Sequence, residues 1–314
     1  MNIKEFGGEF KLIEKISRKA KNNNVLVGIG DDAAVLKFDN KNLLVTSDMM
    51  CEGDHFSRGY YSPKQIGIKA MASNLSDIAA MGGVPLYAII SIALDDETSV
   101  EQVEQIYHGL YETADKYNVD IIGGDTTHGT ALVISITLIG EAKGNMVITR
   151  AGARPGDVIK VSGPLGGSEA GLQLYKNKIA GFERVKKLHT EPSCRLDISD
   201  QIAAYATAMA DISDGLASDL RNICKSSGVG ALINRETIPI ANDVIKAAQL
   251  LRIPPFDLAL HGGEDYELIY TVAKGHSDKV PGVTIGEIIS DNKIHLDNKG
   301  ERKELTRFGF DHFL

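Results

Sequence analysis

The chain has 314 residues, 43% of them apolar, with 34 basic and 42 acidic side chains and a formal net charge of −8; the apolar share supports a packed core, and the acidic balance excludes the basic stripe of a nucleic-acid-binding surface, though not a local basic pocket for phosphate. The longest apolar run, residues 84–94, is too short to span a bilayer, and Met1-Asn2-Ile3-Lys4-Glu5-Phe6 lacks the apolar core of a signal peptide. Cys51, Cys194 and Cys224 are too few and scattered for a disulfide framework or a zinc site, so a cytoplasmic protein with reduced thiols is expected.

In chain order, residues 9–22 read as an amphipathic helix with Leu12, Ile13 and Ile16 at helical spacing. Residues 25–27 and 43–46 read as short strands, each running into an acidic turn. Ser62-Pro63 opens a helix that continues to about Met81 and stops at Gly82-Gly83. A strand over 87–94, a helix over 100–117, a strand over 119–122 ending at Gly123-Gly124-Asp125, and a strand over 132–140 follow. A boundary is expected at 149–157, where Arg150, Gly152, Arg154, Pro155 and Gly156 cluster. Beyond it come a strand over 158–162, the turn Gly163-Pro164-Leu165-Gly166-Gly167 and a helix from Ser168. Helices near 196–205, 216–226 and 242–251 and a strand over 268–272 complete the reading. Alternating elements with antiparallel-looking pairs make the class α/β or α+β, in two halves of similar size.

Five segments set Asp beside Gly, Ser or Thr: Gly28-Ile29-Gly30-Asp31-Asp32, Thr46-Ser47-Asp48, Asn74-Leu75-Ser76-Asp77, Gly123-Gly124-Asp125-Thr126-Thr127 and Asp211-Ile212-Ser213-Asp214-Gly215. Singly, each reads as turn or helix-cap chemistry. As a set they suggest a cage of carboxylates, which repel one another unless a cation sits among them. Hard oxygen ligands suit Mg²⁺, and Mg²⁺ held by Asp commonly manages phosphate charge. Four of the five are expected just after strands, where loops converge over a sheet edge. The fifth, Asp77, falls late on a helix in a polar line with Lys69 and Ser73; by spacing alone that line is as readily a solvated face.

Other chemistries lack their motifs. There is no P-loop, no complete dinucleotide fingerprint (Ala33 stands where its third Gly belongs) and no kinase catalytic loop. The carboxylates are too dispersed for an EF-hand. None of the eight His is in metalloprotease spacing; His55, after an acidic turn, could contact a ligand.

Together these residues resemble the thiamine-monophosphate kinases, a family of the superfamily that includes aminoimidazole ribonucleotide synthetase. The resemblance runs through all five segments. It also takes in Gly53-Asp54-His55-Phe56, with Asp54 where Asn is more usual, Gly262-Gly263-Glu264-Asp265-Tyr266-Glu267-Leu268, and the tail Gly309-Phe310-Asp311-His312-Phe313. It implies a two-domain aminoimidazole ribonucleotide synthetase-like fold of mixed sheets packed with helices. Residues 1–148 would bind ATP and Mg²⁺ and form a homodimer, and residues 149–314 would complete the active site. By the same resemblance Asp32, Thr46, Ser47, Asp48, Asp77, Asp125, Asp211 and Asp214 bind magnesium, with Asp77, Asp125 and Asp214 catalytic. Tyr107, Gly124, Asp125, Arg150 and Ser213 hold ATP. His55, Glu264 and Phe310 face thiamine monophosphate, Phe310 standing where relatives carry Tyr or Trp.

The implied reaction carries a phosphoryl group from ATP to thiamine monophosphate. A phosphate monoester is already mostly dianionic at neutral pH, with a second pKa near roughly 6, so it needs no general base. Charge neutralisation and in-line positioning are the required devices, which suits a site rich in Asp and poor in His. Two alternatives stand beside this reading. One is another ATP-using enzyme of the superfamily, such as aminoimidazole ribonucleotide synthetase, which the Glu264 and Phe310 motifs speak against. The other is a non-catalytic nucleotide- or thiamine-binding protein, which would not need so many carboxylates.

Overall fold

The computed structural model describes residues 5, 9–17 and 20–309. A six-stranded sheet is built from β1 (Val25–Val27), β2 (Ala34–Phe38), β3 (Lys41–Cys51), β4 (Gly83–Leu94), β5 (Asp120–His128) and β6 (Val133–Ala142). Its order is β1-β2-β3-β6-β4-β5, with β4 and β5 parallel and all other pairs antiparallel. α1 (Glu9–Ile16) precedes it, and α2 (Pro63–Ala80) and α3 (Val100–Lys116) pack on one face. Burial along β6 alternates strictly, as a half-covered sheet requires. The opposite face leaves Met49, Tyr87, Ile89 and Ile122 exposed.

The second sheet has the order β13-β12-β9-β11-β7-β10-β8. Its strands are β7 (Asp157–Val161), β8 (Ala206–Asp211), β9 (Gly230–Asn234), β10 (Leu268–Ala273), β11 (Val283–Ile289), β12 (Ile294–Asn298) and β13 (Glu301–Glu304). Only β9 and β12 run parallel. The helices are α4 (Gly167–Lys176), α5 (Glu183–Thr190), α6 (Ser199–Ala203), α7 (Leu216–Ser227), α8 (Asn242–Leu251) and α9 (Pro255–His261). α7 and α9 pack their apolar residues, Leu216, Leu220, Ile223 and Leu260 among them, against this sheet.

α2 joins the two halves. Ser62 and Gln65 form a reciprocal capping box at its start, with Pro63 in the first turn. One side packs Leu75 and Ile78 into the first core, while Ala79 and Ala80 pack with Met209, Leu268 and Tyr270 of the second half. Its crossing with α3 is unusually close. A Cβ on Gly67 would lie 2.0 Å from the Ile106 carbonyl oxygen, and one on Gly109 would lie 2.0 Å from that of Lys64. Only glycine fits at both contacts.

Several expected boundaries are corrected. β3 and β5 run straight through Thr46-Ser47-Asp48 and Gly123-Gly124-Asp125 instead of ending there, so these residues lie inside strands and not in turns. α1 ends at Ile16, short of the expected 22. The helix expected over 196–205 shrinks to α6, and β8 follows where no strand was foreseen. The Lys69–Ser73–Asp77 line is not a solvated face. Lys69 and Ser73 are buried, and Asp77 is half-buried against the other acids.

Candidate active site

Asp32, Asp77 and Asp211 each offer a carboxylate oxygen within 4.8 Å of the others. They come from the segment after β1, the last turn of α2 and the end of β8. Hydroxyls of the first half bind acids of both halves: Thr46 donates to Asp77 Oδ2, and Ser76 donates to Asp211 Oδ2 at 2.7 Å. Burial, then repulsion from Asp48, Asp211 and Asp32, pushes the Asp77 carboxyl far above its usual range; burial and Asp32 do the same to Asp211. Asp48 is raised by burial and by Asp32, and Asp31 is pushed up to about 7 by burial and by Asp32. Such mutual strain is what a bound divalent cation would relieve.

Strand periodicity decides which residues of β3 take part. Successive side chains point to opposite faces, so Thr46 and Asp48 face α2 and the acids. Ser47 points the other way, onto the open face, where its hydroxyl meets that of Thr137 at 3.2 Å. The structure therefore does not bring the Ser47 side chain to the cluster.

Arg150 is the one cation joined to it by side-chain contacts among the described residues. Its Nη2 lies 2.7 Å from Asp32 Oδ1, and its backbone N–H donates to both oxygens of Asp31. Burial opposes its charge, but Asp32, Asp219 and Asp211 together outweigh it and hold the guanidinium more firmly protonated than usual.

The two motif loops of the second half are sewn together. Ile212 donates to the Glu267 carbonyl at 2.7 Å, Glu264 to that of Ser213 at 2.7 Å, and Tyr266 to that of Ile212 at 3.0 Å. Ser213 and Asp214 are half-buried at the turn into α7. Asp214 N–H donates to Asp219 Oδ2 at 3.2 Å. Asp219 is an acid the sequence reading missed. It is buried, its carboxyl is pushed far up by burial and by Asp214 and Asp211, and its Oδ1 has no hydrogen-bond partner among the described residues. Its place in the first turn of a helix that starts at Leu216, just past the Asp211–Asp214 segment, was the available signal. The glycine-rich turn before α4 is not open to an anion. Asp265 takes the N–H groups of Gly166 at 2.6 Å and Ser168 at 3.0 Å.

Beside the acids lies a second polar group. The Nζ of Lys69 is 2.6 Å from Glu264 Oε1, 2.9 Å from the His55 carbonyl and 3.0 Å from the Tyr61 hydroxyl oxygen. His55 Nδ1 accepts from the Cys51 N–H at 3.1 Å. His189 Nδ1 lies 3.4 Å from Glu264 Oε2 and 3.0 Å from Ser168 Oγ. Burial, then Lys69, holds His189 well below the usual histidine range, so it is neutral.

The remaining expected residues are not gathered here. Gly124 and Asp125 are exposed on β5, the edge strand. Gly124 is required where it stands, since a Cβ would fall 1.7 Å from the Ile90 carbonyl oxygen. Tyr107 is on α3, half-buried against the first core with Tyr111 as its ring neighbour. Phe310 lies outside the described residues; Gly309, the last described, donates to Ser218 Oγ at 3.2 Å.

Residues 30–142 match the AIR synthase related protein, N-terminal domain, and residues 154–288 match the AIR synthase related protein, C-terminal domain. The fold and the acidic site thus define a two-domain protein of the AIR synthase related class. The chain is 37% identical over 304 residues to the thiamine-monophosphate kinase of Aquifex aeolicus (strain VF5), covering 95% of this chain and 97% of that protein. It is 34% identical over 326 residues to the thiamine-monophosphate kinase of Bacillus subtilis (strain 168), covering 97% and 99%. A solved structure described as AaThiL complexed with AMPPCP and TMP is similar at a TM-score of 0.91 and 34% identity, over 100% of this chain and 99% of that one. The chain belongs to the thiamine-monophosphate kinase family and is an enzyme, a phosphotransferase. No helix among the described residues is long and apolar enough to cross a membrane.

Proposed function

We propose that this enzyme transfers the γ-phosphoryl group of ATP directly to thiamine monophosphate, assisted by Mg²⁺, and so makes thiamine diphosphate in the cytoplasm as a step of its biosynthesis. The convergence of Asp32, Asp77 and Asp211 within 4.8 Å carries the reading. The residues fit magnesium: every donor is oxygen, and the carboxyls resist ionising together without a cation. Asp32, Asp48, Asp77 and Asp211 would hold the ions, with Thr46 and Asp214 as further ligands in this reading and the Asp125 and Ser47 side chains outside the cluster that the structure gathers. When bound, magnesium neutralises the negative charge shared by donor and acceptor phosphates.

The chain's own part is to bind, orient and exclude. Arg150 supplies fixed positive charge at the ATP end, with Gly124, Ser213 and Tyr107 as further nucleotide residues in this reading. Glu264 suits the cationic thiazolium of the acceptor, with His55 and Phe310 as further acceptor residues in this reading. The acceptor phosphate enters as a dianion, so no residue need remove a proton from it. In this proposal residues 1–148 form the ATP- and metal-binding half and 149–314 complete the site. A homodimer formed through the open face of the first sheet would cover Met49, Tyr87, Ile89 and Ile122 and the edge that carries Asp125; sedimentation of the purified chain tests it.

The deciding experiment is ADP release measured with thiamine monophosphate and with free thiamine, each with Mg²⁺ and with chelator. Turnover is expected only with thiamine monophosphate and Mg²⁺. Equal turnover of the two acceptors would refute the reading.

A further inference from the structure

Lys69 is 0% exposed. An ammonium has three donors, and here all three are committed: to Glu264 Oε1, the His55 carbonyl and the Tyr61 hydroxyl. The partners come from both halves of the chain, the turn after β3 on one side and the loop before β10 on the other. Glu264 and His55 are also the residues that the function proposed above places against thiamine monophosphate.

We propose that Lys69 is a positioning residue of the acceptor pocket: buried beneath it, its ammonium sets the Glu264 carboxylate and the His55 turn in the arrangement that receives thiamine monophosphate. The inference deepens that reading and rests on it. Full burial and three used donors leave Lys69 no means of touching the substrate itself.

The need for such a device is visible in the backbone. Glu264 has φ 63° and Tyr266 φ 50°, so two non-glycine residues flanking Asp265 sit in the sparsely populated left-handed region. The loop is held on its backbone side by Ser213 and Ile212. On its side-chain side, Lys69 takes Oε1, while Oε2 is left toward neutral His189 at 3.4 Å. Glu264 keeps 25% of its side-chain surface, so it is anchored from within and still open to a ligand. His55 is fixed in the same way: its carbonyl is bound by Lys69 and its Nδ1 by the Cys51 N–H.

The test compares wild type, Lys69→Met and Lys69→Arg as full chains, reading kcat, KM for both substrates, and melting temperature with and without thiamine monophosphate. Lys69→Met should raise KM for thiamine monophosphate by about tenfold or more, the size of a lost charge-assisted hydrogen bond. KM for ATP should stay within about twofold, and the thermal shift given by thiamine monophosphate should shrink. Lys69→Arg restores the charge with a different donor geometry and should recover part of the loss. If Lys69→Met does not fold, Lys69→Arg decides alone through the same split between the two constants. A folded variant with unchanged KM for thiamine monophosphate overturns the inference. So does an equal rise in both constants, or failure of both variants to fold, since each points to a purely structural ion pair. Wild type in the same assay separates the two claims. If it does not phosphorylate thiamine monophosphate, the substrate reading falls and takes this one with it; if it does, and the variants match it, only the role of Lys69 falls.

Discussion

Arg150 grips Asp32 with two prongs, Nη2 at 2.7 Å from Oδ1 and Nε at 3.3 Å from Oδ2, and the Asp32 side chain has no exposed surface. A residue proposed for ATP is thus tied to a residue proposed for magnesium. Nucleotide and metal would meet through a contact already made within the protein.

Arg150→Ala should therefore cost stability as well as nucleotide affinity. It leaves a buried carboxylate unpaired among other acids, a loss of about 3–5 kcal/mol. Urea melts in EDTA should show the full loss, and millimolar Mg²⁺ should restore part of it by supplying the missing charge. Equal melts for variant and wild type in EDTA would deny the pair its role.

Asp77→Asn should behave in the opposite way. It removes one member of a crowded set whose ionisation is opposed by burial and by Asp48, Asp211 and Asp32. The melting temperature in EDTA should hold or rise. Activity with Mg²⁺ should drop by about a hundredfold or more, typical of losing a key electrostatic contact. A variant that is both active and destabilised would contradict the arrangement.

Asp265 gives a pH signature away from the acids of the cluster. Burial pushes its carboxyl up to about 7, against the lowering pull of the Ser168 and Gly166 N–H groups. A raised folded value means the folded chain holds a proton that the unfolded chain has released. The contribution is full below the unfolded value of 3.8 and is lost as pH rises through about 7. The melting temperature of wild type minus that of Asp265→Asn should therefore fall between pH 4 and pH 8. A difference independent of pH would show that the carboxyl ionises normally.

The helix crossing is tested by Gly67→Ala. The added methyl would sit 2.0 Å from the Ile106 carbonyl oxygen, a backbone atom that cannot rotate away. A loss of about 3 kcal/mol or more is expected from denaturant melts, at the upper end of overpacking costs. Ala at Gly144, where nothing lies within 4 Å but φ is 61°, should cost only the strain of the left-handed backbone, about 1 kcal/mol.

The sequence by itself picked out the acids that meet. Asp beside Gly, Ser and Thr, five times over, marked Asp32, Asp48, Asp77 and Asp211 before any fold was known, because carboxylates near small residues are a local pattern. It also set the start of α7 and both ends of α8, since helical periodicity acts within a few residues of chain. Tertiary structure alone decided which residues share a face and which cross between halves. Ser47 and Asp48 are neighbours in sequence and opposed in space, because β3 continues where a turn was expected and side chains alternate along it. By its spacing Lys69 could as readily have faced solvent, on a polar line with Ser73 and Asp77. It is buried because the second half of the chain packs over that face and brings Glu264 with it. Asp219 meets the Asp214 backbone because α7 turns its first-turn side chains back toward the start of the helix. Pairings across more than a hundred residues, such as Ser76 with Asp211, depend on how two sheets meet over one helix, and no local pattern of residues encodes that distance.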